Sequence, residues 1–378
     1  MNKILILNAI LYSVEKSASF KKAKSIKDCM IYNFALGFVN AGYEVTLVAS
    51  EDYQPTETET YDFEVIFFKS VLKPVFQVNL LPLNSGLWTF LRKRKDEYDV
   101  VLSSESFAFP TLFASFILPS KLVIRQELFL HNRKFFKIPS LFWYNVVVRL
   151  CYRRAFVIPC SEKAYLFIRK YAGNVSPEPI EHGIKENNCV SEKKEDQFVI
   201  VSRFIQTKRI DRMIHHFVRF IRKYPSCAHY KLMIVGDGEL AAMLKSLVTE
   251  LKANESIVFC GWLAHERLFP LTAQSKALLI DTELDLNTVS IPEAVTNGTA
   301  ILTNSLPGNV WYIQKNILGI VKDHWNEDDL LDMVENNALY SRNCRNYGGK
   351  LSNTYLAKRL LTLFRAQKHE CINKYETR

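Results

Sequence analysis

The chain has 378 residues, 48% of them hydrophobic and 23% charged, which excludes a disordered or fibrous protein and suffices for two domains with separate cores. A formal net charge of +10 points to anionic partners: nucleic acid, acidic lipid head groups or phosphorylated small molecules. The eight cysteines form no C-x-x-C pair and no cysteine–histidine cluster at zinc spacing, so they read as reduced thiols of a cytoplasmic protein.

Lys3 to Asn8 is a continuous apolar run, as a parallel strand buried on both faces requires, and Asn8 interrupts what would otherwise resemble a signal peptide. A lysine-rich loop follows, with Lys16, Lys21, Lys22, Lys24 and Lys27, then a helix from about Asp28 to Asn40 stopped at Gly42. Strands are predicted at Glu44 to Ala49, Phe63 to Phe68, Val100 to Ser103, Leu122 to Arg125 and Phe156 to Pro159, with helices between. The apolar run Phe107 to Leu118 contains Pro110 and is too short to span a bilayer, so no transmembrane helix is expected. Between His131 and Lys170 stand Arg133, Lys134, Lys137, Arg149, Arg153, Arg154, Lys163, Arg169 and Lys170 against the single acid Glu162. They alternate with Phe135, Phe136, Phe142, Trp143 and Tyr144, a pattern that suits peripheral contact with an anionic membrane better than reading of bases. A buried helix with solvated arginines is the other reading of the same segment.

Lys185 to Gln197, KENNCVSEKKEDQ, has almost nothing to bury and reads as an interdomain linker and hinge. The α/β alternation then restarts: strand Phe198 to Val201, helix Ile210 to Tyr224, strand Lys231 to Val235, helix Glu239 to Leu251, strand Ile257 to Cys260 and a helix near Leu268 to Gln274. A closing amphipathic helix carries Leu356, Leu360, Leu363 and Phe364 at helical spacing. The expected division is a first domain 1–184, a linker 185–197, a second domain 198–350 and a terminal helix 351–378 that is free to cross back to the first domain.

Ala277 to Asn304 carries the densest signal. It runs strand, loop, short helix, glycine stop, strand, with Ser290 placed as N-cap and Gly298 just past the helix. That is most of a βαβ unit and implies a parallel sheet, which carries ligands outside the carboxyl ends of its strands. Asp285 and Glu293 stand there, eight positions apart. A carboxylate accepts two hydrogen bonds from a vicinal diol such as a ribose, each charged bond contributing about 1.5–3 kcal/mol. Ser290 and Glu293 also fit the capping box S-x-x-E, which would make Glu293 a helix cap; the sequence leaves both readings open.

Arg203 and Lys208, in VSRFIQTKRID, lie in a strand-to-helix loop at the same edge, where cations can take up the charge of a departing diphosphate without a metal. Gly236, Gly238 and Ala241 match the dinucleotide fingerprint G-x-G-x-x-A and raise an NAD-dependent oxidoreductase as the alternative. The acid which that reading expects after the next strand is replaced by Cys260 and Gly261. Asp281, Glu283 and Asp285 form an acidic loop with no histidine, too few ligands to argue for a metal. A non-enzymatic basic protein binding membrane or nucleic acid would leave the paired acids without a role.

VSRFIQTKRID, LMIVGDGEL, IVFCGWL and DLNTVSIPEAVTNGTAILTN follow one another in the order, and at about the spacing, of the second domain of GT-B glycosyltransferases, and the chain resembles glycosyltransferase family 4 of capsular and exopolysaccharide pathways. NFALGFVNAGYEVTLVAS, CSEKAYLFI and IEHGI are similar to first-domain segments of that family. The resemblance implies two Rossmann-like parallel-sheet domains facing across a cleft, and a retaining hexosyl transfer from a UDP- or GDP-linked sugar. The acceptor it implies is a saccharide or lipid-linked saccharide, with no cofactor, no required metal and no nucleic acid. Arg203 and Lys208 match its diphosphate-binding cations, Glu293 its ribose acid, and Asp285 replaces the first glutamate of its E-x7-E motif, one methylene shorter. Gly236 and the run Asn287, Thr288, Val289 and Ser290 fall at donor-binding positions. The first domain departs from the family: NAILYS after the first strand has no glycine, and the strand LVIR is followed by Gln126, Glu127 and then His131. Glu127 and His131 are the acceptor-side candidates. The implied place of work is the cytoplasm, at the inner face of the plasma membrane.

Overall fold

The computed structural model describes residues 3–11, 25–27, 29–77, 79–131, 137–185 and 189–376, the last few (370–376) by backbone alone. Asp28, the loop lysines up to Lys24, and Arg133, Lys134, Phe135 and Phe136 lie outside the described residues. The chain divides into two units, Met1–Lys185 with Asn353–Arg378, and Glu186–Ser352.

Unit 1 is built on β1 (Lys3–Leu7), β2 (Glu44–Ser50), β3 (Glu64–Phe68), β6 (Val100–Ser103), β7 (Leu122–Gln126) and β8 (Phe156–Pro159), all parallel in the order β3-β2-β1-β6-β7-β8. The short β4 (Ser70–Val71) and β5 (Leu83–Asn84) pair antiparallel beside it. Ile4, Ile6, Leu47, Leu102 and Val123 fill one face of this sheet and Leu5, Leu7, Val101, Leu122 and Ile124 the other, which is why its strands read as near-continuous apolar runs rather than alternating. Each such buried side chain contributes about 1.5–3 kcal/mol. The terminal helix Asn353–Glu376 lies against the helix Met30–Asn40, burying Leu356, Leu360, Leu361 and Phe364 among Ile31, Phe34 and Phe38. Leu363 is only partly buried.

Unit 2 repeats the plan with β9 (Gln197–Val201), β10 (Lys231–Val235), β11 (Ile257–Gly261), β12 (Ala277–Ile280), β13 (Ala300–Thr303) and β14 (Gly319–Val321), in the order β11-β10-β9-β12-β13-β14. In both units the sheet grows outward from its first strand to the third and then switches to the fourth on the other side. Open α/β sheets bind ligands at that switch, outside the carboxyl ends of the two central strands. The β9–β12 ladder holds only Ala277↔Phe198 and Leu278↔Val199, so these strands part toward their carboxyl ends.

The stretch expected as an interdomain linker is tied to unit 2 over its second half. The Lys194 ammonium donates to Ala273 O at 2.6 Å and Thr299 Oγ1 at 3.2 Å, and Glu195 N–H donates to Gln274 O. Burial depresses Lys194 to about 8. Composition hid this because a lysine packs its methylenes and satisfies its head on carbonyls.

Candidate functional site

The carboxyl edge of unit 2 is assembled by hydrogen bonds between two loops. Thr207 O accepts Glu283 N–H at 2.9 Å and Thr282 Oγ1 at 3.0 Å, joining the loop after β9 to the loop after β12. Arg209, at φ 41°, turns the chain into the helix Ile210–Lys223. This stitching brings Lys208 against Asp285 in a direct ion pair, and Thr288 Oγ1 donates to the same Asp285 oxygen at 2.8 Å. Arg203 stands exposed in the same loop, two residues after β9.

The other two acids of the loop are met by cations of unit 2 rather than pooled. Asp281 is nearly buried, 3.4 Å from Arg209 and 3.3 Å from Arg212, and accepts Asn304 Nδ2 at 3.0 Å; Glu283 pairs with Arg209 at 3.4 Å. Burial raises the Asp281 carboxyl and the two arginines offset part of that rise.

Asn287, Thr288 and Val289 lead into the helix Ser290–Thr296. Thr288 is fixed by Asn309, whose Oδ1 accepts its N–H at 3.3 Å and whose Nδ2 donates to its carbonyl at 3.0 Å. Nothing in the sequence singles out Asn309, twenty-one positions away. Ser290 is not the cap: Val289 holds that position in helical conformation, with no side-chain cap bond, so the capping box does not form. The helix begins one residue early because Thr288 O already accepts Ile291 N–H. The Glu293 carboxylate faces His265 Nε2 at 3.4 Å instead, and His265 stacks on Phe269 at the start of the helix His265–Gln274. At the other end Gly298, at φ 71°, closes the helix as the sequence predicts.

The glycine pair after β10 has a packing reason. A Cβ on Gly236 would lie 1.8 Å from Ser202 O, and one on Gly238 2.6 Å from Phe204 O. Phe204 N–H donates to Asp237 O and Leu240 N–H to Phe204 O, so the loops after β9 and β10 run backbone against backbone. This close approach accounts for the G-x-G spacing without a dinucleotide.

At the carboxyl edge of unit 1, Glu127 follows β7 and meets His182 Nε2 at 3.4 Å. Arg125 Nη2 lies 3.3 Å from His182 Nδ1 and 3.4 Å from Glu181 O. A guanidinium only donates, so Nδ1 accepts and Nε2 carries the proton toward Glu127. Burial raises the Glu127 carboxyl, but His182 and Arg125 outweigh it and hold it below the usual range. Glu105, two residues beyond β6, accepts N–H groups from Ser106, Glu127 and Leu128 at 2.8, 3.2 and 3.1 Å, yet burial pushes its carboxyl up to about 7. Sequence reasoning passed over Glu105 and His182; Glu105 was findable as the first acid after a strand end. His131 is held elsewhere, with Nδ1 on Ser140 at 3.1 Å and Nε2 on Tyr171 at 3.0 Å, among Tyr144 and Phe167. Burial, with Lys137 and Lys170 nearby, lowers its pKa.

Residues 184–348 match the family model of glycosyl transferases group 1. No curated protein is similar to the chain by sequence. Among solved structures, HepE of Anabaena in complex with UDP superposes with a TM-score of 0.65 at 12% identity, covering 97% of this chain and 100% of that one. A glycosyltransferase of Rickettsia africae gives 0.65 at 14%, covering 97% and 98%. WaaG, a glycosyltransferase involved in lipopolysaccharide biosynthesis, gives 0.59 at 13%, covering 96% and 99%. The fold is therefore GT-B, two Rossmann-like units in one chain. Fold and family match together support a glycosyltransferase.

Proposed function

We propose that the chain is a retaining glycosyltransferase of family 4 that moves a hexosyl group from a nucleotide sugar to a hydroxyl of a saccharide or lipid-linked saccharide, building cell-surface polysaccharide at the inner face of the membrane. The observation that carries this reading is the meeting of Lys208, Asp285 and Thr288 where β9 and β12 part, with Glu293 in the helix that follows.

The diphosphate of a UDP- or GDP-linked donor competes with Asp285 for Lys208 and recruits Arg203. As the bond between the anomeric carbon and the diphosphate oxygen breaks, these two cations take up the negative charge on the leaving group. Glu293, free of a capping duty, accepts the ribose hydroxyls. Asp285, released from Lys208, turns to the transferred sugar. Gly236 and the run 287–290 line the donor. On the acceptor side Glu127, oriented by His182, receives the hydroxyl and takes its proton as the hydroxyl oxygen bonds to the anomeric carbon and the nucleoside diphosphate leaves; His131 is a packing residue. Asp281 and Glu283 are already paired with arginines, which supports transfer without a metal. Neighbours of the same fold were solved with UDP and glucose, and with UDP and an α-GlcNAc-glycerol, which supports a nucleotide sugar as donor.

Release of nucleoside diphosphate from UDP- and GDP-sugars, with and without EDTA, tests the reading. Turnover of one donor that survives EDTA and is lost in K208A is expected. Turnover of none, or only with added metal, overturns it.

A further inference from the structure

Arg209 holds a backbone conformation that glycine would hold at less cost. Among the described residues, Leu72, Arg209, Lys252, Ile317 and His324 have a positive φ without being glycine, and Arg209, at φ 41° and ψ 41°, is the one beside Lys208. In that left-handed region the Cβ of an L-residue crowds the following carbonyl, and such strain persists only where the surroundings over-determine it. The main chain on either side shows what the turn does. The single turn Gln206–Lys208 closes with Lys208 N–H on Ile205 O at 3.0 Å and Arg209 N–H on Gln206 O at 3.2 Å. The Arg209 carbonyl then accepts Arg212 N–H at 3.1 Å, opening the helix Ile210–Lys223. The φ and ψ of Arg209 therefore set the direction in which the turn carrying Lys208 leaves that helix.

The side chain of Arg209 completes a row of cross-links to the loop after β12. Thr207 reaches Thr282 and Glu283 through its carbonyl, and Lys208 reaches Asp285 through its ammonium. Arg209 then reaches Asp281 through Nη1 and Glu283 through Nε, both at 3.4 Å. Balancing the buried Asp281 does not require Arg209, because Arg212 lies 3.3 Å from its other oxygen. What Arg209 adds is a bridge between two carboxylates of the loop that leads to Asp285.

In the transferase reading Lys208 exchanges Asp285 for the diphosphate. The link through Lys208 is then gone, and the turn follows its side chain unless another charge holds it. A guanidinium seated between two carboxylates supplies that hold, and a cation displaced from the developing charge loses much of its effect on the rate. We propose that Arg209 is a positioning residue: it clamps the turn of Lys208 to Asp281 and Glu283 in the left-handed conformation, so that Lys208 releases Asp285 without the loop moving. The clamp also gives the acids of this loop a task other than metal binding. The proposal deepens the transferase reading and rests on it for the role of Lys208.

The test compares the full-length wild type with R209A, which loses the clamp and keeps the strain, and with R209G, which loses both. Three quantities are read: the melting temperature, kcat and donor KM on UDP- and GDP-sugars, and the rate at which acetic anhydride acetylates Lys208 relative to the exposed Lys245 of the same chain. The Lys208 side chain is 17% exposed, so its acetylation reports release of the turn. Both variants are expected to acetylate Lys208 at least about threefold faster than wild type, with Lys245 unchanged. Both are expected to lose about tenfold in kcat at a donor KM within about twofold of wild type, although R209G melts above R209A. A kcat that recovers from R209A to R209G together with the melting temperature would make Arg209 a matter of stability alone and overturn the proposal. Lys208 acetylated at the wild-type rate in both variants would overturn it as well. A wild type that turns over no UDP- or GDP-sugar, beside variants that release Lys208, keeps the clamp and overturns the transferase reading instead.

Discussion

The two units share one strand order and differ at the switch point. In unit 1 the central ladder is closed to its end, from Ile4↔Val100 to Leu7↔Ser103; in unit 2 it stops after two pairs and the strands part. The groups at the two edges differ in the same sense. Unit 2 offers lysine and arginine on loops, each balanced by an acid, which an arriving diphosphate can displace. Unit 1 offers two carboxylates, one held by three backbone N–H groups and one by a histidine, which suits neutral hydroxyls and repels phosphate. One strand order thus carries opposite electrostatics at its two edges, set by its loops.

The sharpest way to break this contrast is to remove the cation of unit 2. K208A is expected to lower kcat about 10²–10³-fold, the loss typical of one donor to a developing charge. Equal losses in K208A and in a control at the exposed Lys245, K245A, would mean the pair with Asp285 is structural. G236A is expected to destabilise unit 2 by about 3 kcal/mol, because the added methyl meets the Ser202 carbonyl and the residue sits at positive φ. Urea unfolding checks this, and an unchanged midpoint would show that the loops are not packed as described.

In unit 1 the contrast is sharpened by pH. Glu105 moves from 4.5 to about 7 on folding, so the folded state binds the proton more tightly than the unfolded one. Its contribution to stability is therefore full below 4.5 and is lost as pH rises through about 7. E105Q is expected to flatten that part of the urea-midpoint profile, and a profile unchanged by the substitution would contradict it. The smallest effect is expected at His131. H131F gives up two hydrogen bonds at about 1 kcal/mol each but should leave the acceptor KM unchanged, whereas E127Q should raise it. Parallel changes in both variants would restore His131 to the acceptor site.

Much of this was legible in the sequence, and what was missed has a common cause. Near-continuous apolar runs marked the strands, since a sheet covered on both faces favours them, and the order of loops after those strands put Lys208 and Asp285 at one edge. Ser290 misled because S-x-x-E is a local pattern, while the helix starts with Thr288 O accepting Ile291 N–H, and Thr288 is fixed by Asn309 from twenty-one positions away. Lys194 misled because composition counts a charge and not the carbonyls that receive it. Glu105 and His182 were passed over because the partners that join them across the strands, Glu127 and Leu128 for one and Arg125 and Glu127 for the other, lie 22 positions or more away.

The most direct measurement is the melting temperature of wild type and E293A in the presence of UDP, GDP and NAD, each with and without EDTA. Ligand at 100 times its dissociation constant stabilises a protein by about 2.7 kcal/mol, a shift that melting resolves. The account predicts that one nucleoside diphosphate raises the wild-type melting temperature, that EDTA changes nothing, and that E293A loses the response. An E293A response equal to wild type, or stabilisation by NAD alone, would contradict it.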